Sequence, residues 1–138
     1  MAAGPELKTG ESSAREVLGM ANGLLRRADP DTAGLWPRAS ALLASRALEA
    51  SMRGLWERRA LDLHRCPMRV QLICLRSYLE DTDLAARAGH AWSALSRASH
   101  HHPYELAPTA DELRGWLSVV EELIEKTAHP STTRKTTQ

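Results

Sequence analysis

Residues 96–113 of this chain are "SRASHHHPYELAPTADEL". Arg97, three consecutive histidines at 100–102, Pro103 and Tyr104 fall close together there. Histidine titrates near neutrality and serves either as a metal ligand or as a proton-transfer group. Adjacent side chains on a helix point ~100° apart, so the three histidines cannot converge on one ion. Zinc also draws its ligands from well-separated places, and His64, His90 and His129 have no spacing that adds one. The cluster therefore predicts no metal site. A solvated polar helix end is the plain structural reading, and proton transfer is the chemical one. A residue before proline is pushed out of the helical region, so the chain is expected to have left its helix by His102. On a continuous helix Arg97 and His102 stand ~140° apart. A break near His101 swings His102 back toward the guanidinium, with the Tyr104 hydroxyl just beyond. Arginine holds a phosphodiester and stabilises its developing charge. Histidine takes or gives the proton of a 2′-hydroxyl or a leaving oxygen. The chemistry such a set supports is RNA cleavage.

Helices must position these groups. Residues 1–11 are small and polar and are expected to be disordered. Ser13 and Glu16 have capping-box spacing, in which each side chain satisfies a free amide at a helix start. Val17, Leu18, Ala21, Leu24, Leu25 and Ala28 then recur at helical spacing. "DPDTAGLWP" ends that helix. Pro37 suits the first turn of a second one, which runs to about Arg59. Its stripe of Leu43, Ala47, Ala50 and Gly54 is small and permits close approach by another helix. "MRVQLICLRSYL" is ambiguous between strand and helix, and its helical neighbours decide for helix. Asp81 caps a helix whose core face is Leu84, Ala88, Ala91, Trp92 and Leu95. Thr109 and Glu112 form another capping box, before a last helix that buries Leu113, Trp116, Leu117, Val120, Leu123 and Ile124. The tail from residue 127 is polar and expected to be disordered. The expected fold is all-α: an up-and-down bundle of four to five helices, with one domain over residues 12–126.

Composition agrees with that architecture. At 138 residues the chain is long enough for one buried core. Phenylalanine is absent while alanine and leucine abound, which favours helices over strands. The formal net charge of +1 does not announce a nucleic-acid binder, although the basic residues are almost all arginine, with its phosphate-matching fork. Cys66 and Cys74 fit no disulfide framework or zinc pattern and are expected to be free thiols. No stretch approaches the ~20 apolar residues of a membrane span, and "MAAGPELKTG" lacks the apolar core of a signal peptide. A cytoplasmic protein without a membrane partner is expected. There is no internal repeat and no glycine-rich phosphate loop, and no cofactor is implied.

Arg97, four intervening residues, His102, Pro103 and Tyr104 together resemble the arginine-x-x-x-x-histidine-x-tyrosine signature of the HEPN superfamily. The resemblance is closest to HepT-like toxins and small stand-alone bacterial HEPN proteins, and it covers residues 12–126. It implies a homodimer whose two motifs meet in one composite site. It also implies a metal-independent endoribonuclease of the kind found in toxin–antitoxin, abortive-infection and CRISPR systems. Arg97 would hold the phosphate and His102 would transfer the proton. Tyr104 matches the tyrosine that a nucleotidyltransferase antitoxin modifies with AMP in HepT-like toxins. Such a group blocks RNA by charge repulsion and bulk. The sequence departs from the pattern at Ala98, where active members often carry a polar residue, and at Pro103. His101, one turn from Arg97, is the alternative catalytic histidine. Non-catalytic HEPN modules that bind nucleotide, RNA or a partner protein share the same frame.

Outside the motif the expectations are structural. Trp92 and Trp116 are expected as core anchors, while Trp36 and Trp56 suit either core or dimer contacts. Arg26–Arg27 and Arg58–Arg59 sit at helix C-terminal ends, where positive charge complements the helix dipole. Arg46 and Arg53 share a helix face and either line the cleft of Arg97 or pair with Glu49 and Glu57.

Overall fold

The computed structural model describes residues 10–27, 36–100 and 106–128. Among them are five α-helices and no strand: α1 (Gly10–Arg26), α2 (Trp36–Arg58), α3 (Met68–Leu75), α4 (Thr82–Ser99) and α5 (Ala110–Ala128), with a short 3-10 turn at Asp62–Arg65. The disorder expected of residues 1–11 and 127–138 does not hold for Gly10 and Glu11, which open α1, or for Thr127 and Ala128, which close α5; the rest of both segments lies outside the described residues, as does Ala28.

Side-chain contacts fix the directions of the helices. The Ser40 hydroxyl donates to the Ala21 carbonyl at 3.1 Å, so α1 and α2 run antiparallel. Trp92 Nε1 reaches Glu49 Oε1 at 3.5 Å, and Arg87 Nη1 donates to Glu122 Oε2 at 2.6 Å. α4 thus runs against both α2 and α5. Ser51 Oγ and Thr127 Oγ1 lie 2.9 Å apart, so α2 and α5 are parallel. The result is an up-down-up-down four-helix bundle of α1, α2, α4 and α5, with α3 in the α2–α4 connection.

α2 is the central helix and packs on α1, α4 and α5. Its sequence explains how: Ala41, Ala44, Ala47 and Ser51 are small and fully or nearly buried, while Leu48, Met52 and Leu55 fill the gaps between helices. The burial is broader than the expected stripe, because neighbours cover three sides. Leu43 and Ala50 are only half-buried. Two buried hydroxyls inside this packing are satisfied. Thr127 Oγ1 donates to the Leu123 carbonyl at 2.9 Å, which leaves Ser51 to donate to Thr127.

The helix ends follow local rules. Asp81 Oδ1 accepts from the Leu84 amide at 2.9 Å and caps α4. The Thr109–Glu112 box is reciprocal, with the Glu112 amide donating to Thr109 Oγ1 at 3.1 Å and the Thr109 amide to Glu112 Oε1 at 3.3 Å. The Ser13–Glu16 box does not form the start of α1. The helix begins one turn earlier, at Gly10, so Ser13 is interior to it rather than at its non-helical cap position. α3 is a helix as expected but stops at Leu75, with turn hydrogen bonds carrying the chain on to Leu79.

α2 ends in a Schellman motif: Leu61 N donates to Trp56 O at 2.9 Å and Ala60 N to Glu57 O at 3.1 Å. Ala60 adopts φ 54 there, a left-handed conformation that suits glycine. Ala60→Gly is therefore expected to raise unfolding free energy by about 1 kcal/mol, less the extra entropy of the unfolded glycine. Urea denaturation at constant slope checks this, and a loss of stability would show that the alanine methyl makes contacts outweighing the strain.

Arg26 and Arg58 lie in the last turns of α1 and α2, where positive charge complements the helix dipole. Arg58 donates to the Thr127 carbonyl in the last turn of α5, where carbonyls lack intrahelical partners. Arg59 stands over the Tyr78 ring at 5.8 Å. At the α4–α5 seam, hydrogen bonding to Arg87 holds the Glu122 carboxyl below its ordinary value, and Glu122 and Asp83 raise Arg87 in turn. Both partners of this bridge are partly exposed, so it orients the helices more than it stabilises them.

Candidate functional site

Arg97 occupies the last turn of α4. The helix ends immediately after it. The Ser99 hydroxyl donates to the Ser96 carbonyl at 2.8 Å, and the His100 amide donates to the Arg97 carbonyl at 3.2 Å. His100 itself is extended, at φ −89 and ψ 140. α4 thus stops at Ser99 with His100 as its extended cap; the expected sharing of a helix face by Arg97 and His101 falls on a residue outside the described ones. A backbone turned extended at His100 leaves the proline no helix to break. His101, His102, Pro103 and Tyr104 lie outside the described residues, so their convergence on Arg97 stands as an expectation.

The chain resumes at Leu106, which is 98% exposed, and reaches α5 through Pro108 and Thr109. Between this segment, the end of α4 and the first turns of α5 lies an open groove of about 570 Å³. Arg97, Ala98, Glu112 and Trp116 line it. A much smaller hollow, of about 20 Å³, adjoins it and is bounded by Arg38, Arg97, His100 and Pro108. Arg38 belongs to the second turn of neither α4 nor α5 but to the start of α2. The bundle topology brings it there, because the start of the descending α2 and the end of the ascending α4 share one end of the molecule.

The electrostatics of this end are simple. Arg97 is exposed, and among the described residues neither it nor Arg38 has an ion-pair partner. The Glu112 carboxylate is engaged by the Thr109 amide, near the positive end of the α5 dipole. Ala98 is half-buried and packs against the core, which gives a physical reason for an apolar residue beside Arg97.

Other sequence expectations sort clearly. Arg46 and Arg53 do not join this groove; they pair with Glu49 at 3.3 Å and Glu57 at 3.4 Å on the solvated side of α2. Trp56 is a core residue, fully buried. Trp92 and Trp116 pack against the core as expected, but each is only half-buried, at the rim of its helix's apolar stripe. Sequence reasoning missed Arg38. Its one signal was its position just after Pro37, at a helix start that an up-and-down bundle places beside the α4 terminus.

Cys66 and Cys74 are free thiols. Among the described residues no three His, Cys, Asp or Glu side chains gather as metal ligands, and no helix is long and apolar enough to cross a membrane. No protein-family model, curated protein or solved structure matches this chain.

Proposed function

We propose that this protein is a HEPN-type, metal-independent endoribonuclease or toxin-like effector that acts on RNA in the cytoplasm as a homodimer. One observation carries the reading most: an exposed arginine without an ion-pair partner among the described residues, in the last turn of α4, where the helix gives way to the histidine run. The up-and-down helical bundle and the resemblance of the 97–104 motif to the HEPN signature support it further.

The reaction follows from the side-chain chemistry. Arg97 holds a non-bridging oxygen of the phosphodiester and offsets the charge that grows on phosphorus. His102, as the neutral imidazole, accepts the 2′-hydroxyl proton. The 2′-oxygen attacks phosphorus and the bond to the 5′-oxygen breaks. The departing oxygen takes its proton from a general acid, which a second motif in the dimer supplies. The products are a 2′,3′-cyclic phosphate and a 5′-hydroxyl. Tyr104 is, in this reading, the acceptor for an antitoxin's AMP group.

The test is incubation of purified protein with RNA in excess chelator, beside Arg97→Ala and His102→Ala. Wild type is expected to cleave and both variants to leave the RNA intact, with unchanged helical circular dichroism. Intact RNA in all three samples overturns the enzyme reading. A mobility shift without cleavage then identifies a non-catalytic binding module.

A further inference from the structure

The four tryptophans have different fates. Trp56 is fully buried, and its N–H donates to Gln71 Oε1 at 2.9 Å. Trp92 is tied to Glu49. Trp36 packs against the core at the start of α2. Trp116 also packs against the core, but it is half-buried and forms one wall of the groove beside Arg97. No described residue engages its N–H by hydrogen bond. An indole held at its base and open along a groove is a stacking surface.

The floor beside it is flat. Ala94 and Ala98 stand one turn apart on α4 and, with Ala107, put only methyl groups into the groove. A planar ring against Trp116 would share the groove with these methyls and with Leu106, the exposed apolar side chain that also lines it. The volume of about 570 Å³ falls within the range of small-ligand clefts.

The charges match a phosphate chain. Many arginines elsewhere are occupied: Arg46, Arg53, Arg87 and Arg114 by carboxylates, Arg58 by a carbonyl and Arg59 by a ring. Arg97 lines the groove from α4, and Arg38 from α2 borders with it the small adjoining hollow. Among the described residues Glu112 is the one carboxylate on the groove wall, and its engagement by the cap turns its charge to the helix end.

We propose that this groove is a single-stranded RNA subsite in which Trp116 stacks one base while Arg97 and Arg38 hold the phosphates on either side of it. The subsite deepens the ribonuclease reading and rests on it for the identity of the nucleic acid. It requires a single strand, because a base paired within a duplex cannot lie on the indole. Arg38 and Trp116 are positioning residues that act on substrate binding.

The experiment measures anisotropy of a fluorescein-labelled uridine decamer in chelator across a salt series. His102→Ala protein serves as the parent so that the RNA stays whole. Adding Trp116→Ala is expected to weaken binding about tenfold, and Trp116→Phe much less. Adding Arg38→Ala is expected to weaken it severalfold and flatten the salt slope by about 0.7. Quenching of tryptophan fluorescence by unlabelled decamer should fall sharply in the Trp116→Phe protein, a readout that does not depend on how well the alanine variant folds. A duplex decamer is expected to bind more weakly than the single strand.

Unchanged affinity and quenching in the Trp116 and Arg38 variants, with Arg97→Ala still weakened, overturns the subsite and leaves the ribonuclease reading in place. Equal affinity for duplex and single strand overturns the stacking role. No binding by the parent, together with no cleavage by wild type, removes both readings.

Discussion

Trp56→Ala is expected to cost about 5 kcal/mol of unfolding free energy, lowering the urea midpoint by about 2 M or preventing folding altogether. The indole is fully buried in the last turn of α2. Its ring meets Tyr78 edge-on, at 5.5 Å between centroids and 78° between planes. Its N–H donates to Gln71 Oε1 at 2.9 Å, while Gln71 Nε2 donates to the Cys66 carbonyl at 2.7 Å. One side chain thus ties α2 to the turn before α3, to α3 itself and to the segment after it. Truncation leaves a cavity costing about 3–5 kcal/mol and strands a buried amide oxygen at about 1–3 kcal/mol. Domains of this size hold only roughly 5–15 kcal/mol. Trp56→Phe separates the two parts: it keeps most ring contacts and loses the hydrogen bond, so it should cost about 1–3 kcal/mol. A loss under about 2 kcal/mol for the alanine variant would mean that the surrounding helices close the gap, and that this corner is less rigid than its packing implies.

His102→Ala and Arg97→Ala are each expected to lower RNA cleavage by about 10²–10⁴-fold, the usual contribution of a placed proton-transfer group or transition-state cation. Arg97→Lys keeps the charge and loses the planar fork, so it should fall between, about tenfold below wild type. His101→Ala should stay near wild type if His102 is the proton-transfer group. Stability is expected to move by no more than about 0.5 kcal/mol in Arg97→Ala, because this side chain is exposed and no described residue pairs with it. That separation makes the result interpretable: activity changes and the fold does not. Cleavage by Arg97→Ala at the wild-type rate, or loss of wild-type cleavage on chelation, removes the proposed mechanism.

Much of the fold could be read locally. The caps at Asp81 and Thr109–Glu112 form as their spacing requires, since a cap depends only on residues within one turn. The same logic misplaced the start of α1, where Ser13 and Glu16 have the right spacing but helical backbone already surrounds Ser13. α3 was resolved by its neighbours rather than its own pattern. Its eight residues include exposed Val70 and Ile73 beside buried Gln71 and Leu75, so periodicity carries little information there.

The site was legible in kind and incomplete in membership. The sequence singled out Arg97, and α4 does end there. Arg38 lay far away in the chain and became a neighbour only through the antiparallel packing of α2 and α4. Trp56 and Trp116 look alike as apolar residues on amphipathic helices, yet one is sealed and the other walls a groove. The number of helices surrounding each face decides that difference, and no spacing rule encodes it.

By itself the sequence determined an all-helical chain, most of its helix ends, and a cation beside a histidine run between the last two long helices. These rest on contacts between residues three or four apart, which the chain carries with it wherever it folds. The tertiary structure alone decided that α2 is covered on three sides, that Arg38 meets Arg97, and which indole faces solvent. Those are long-range relations: burial is shared among helices, so it is settled only once all of them have packed.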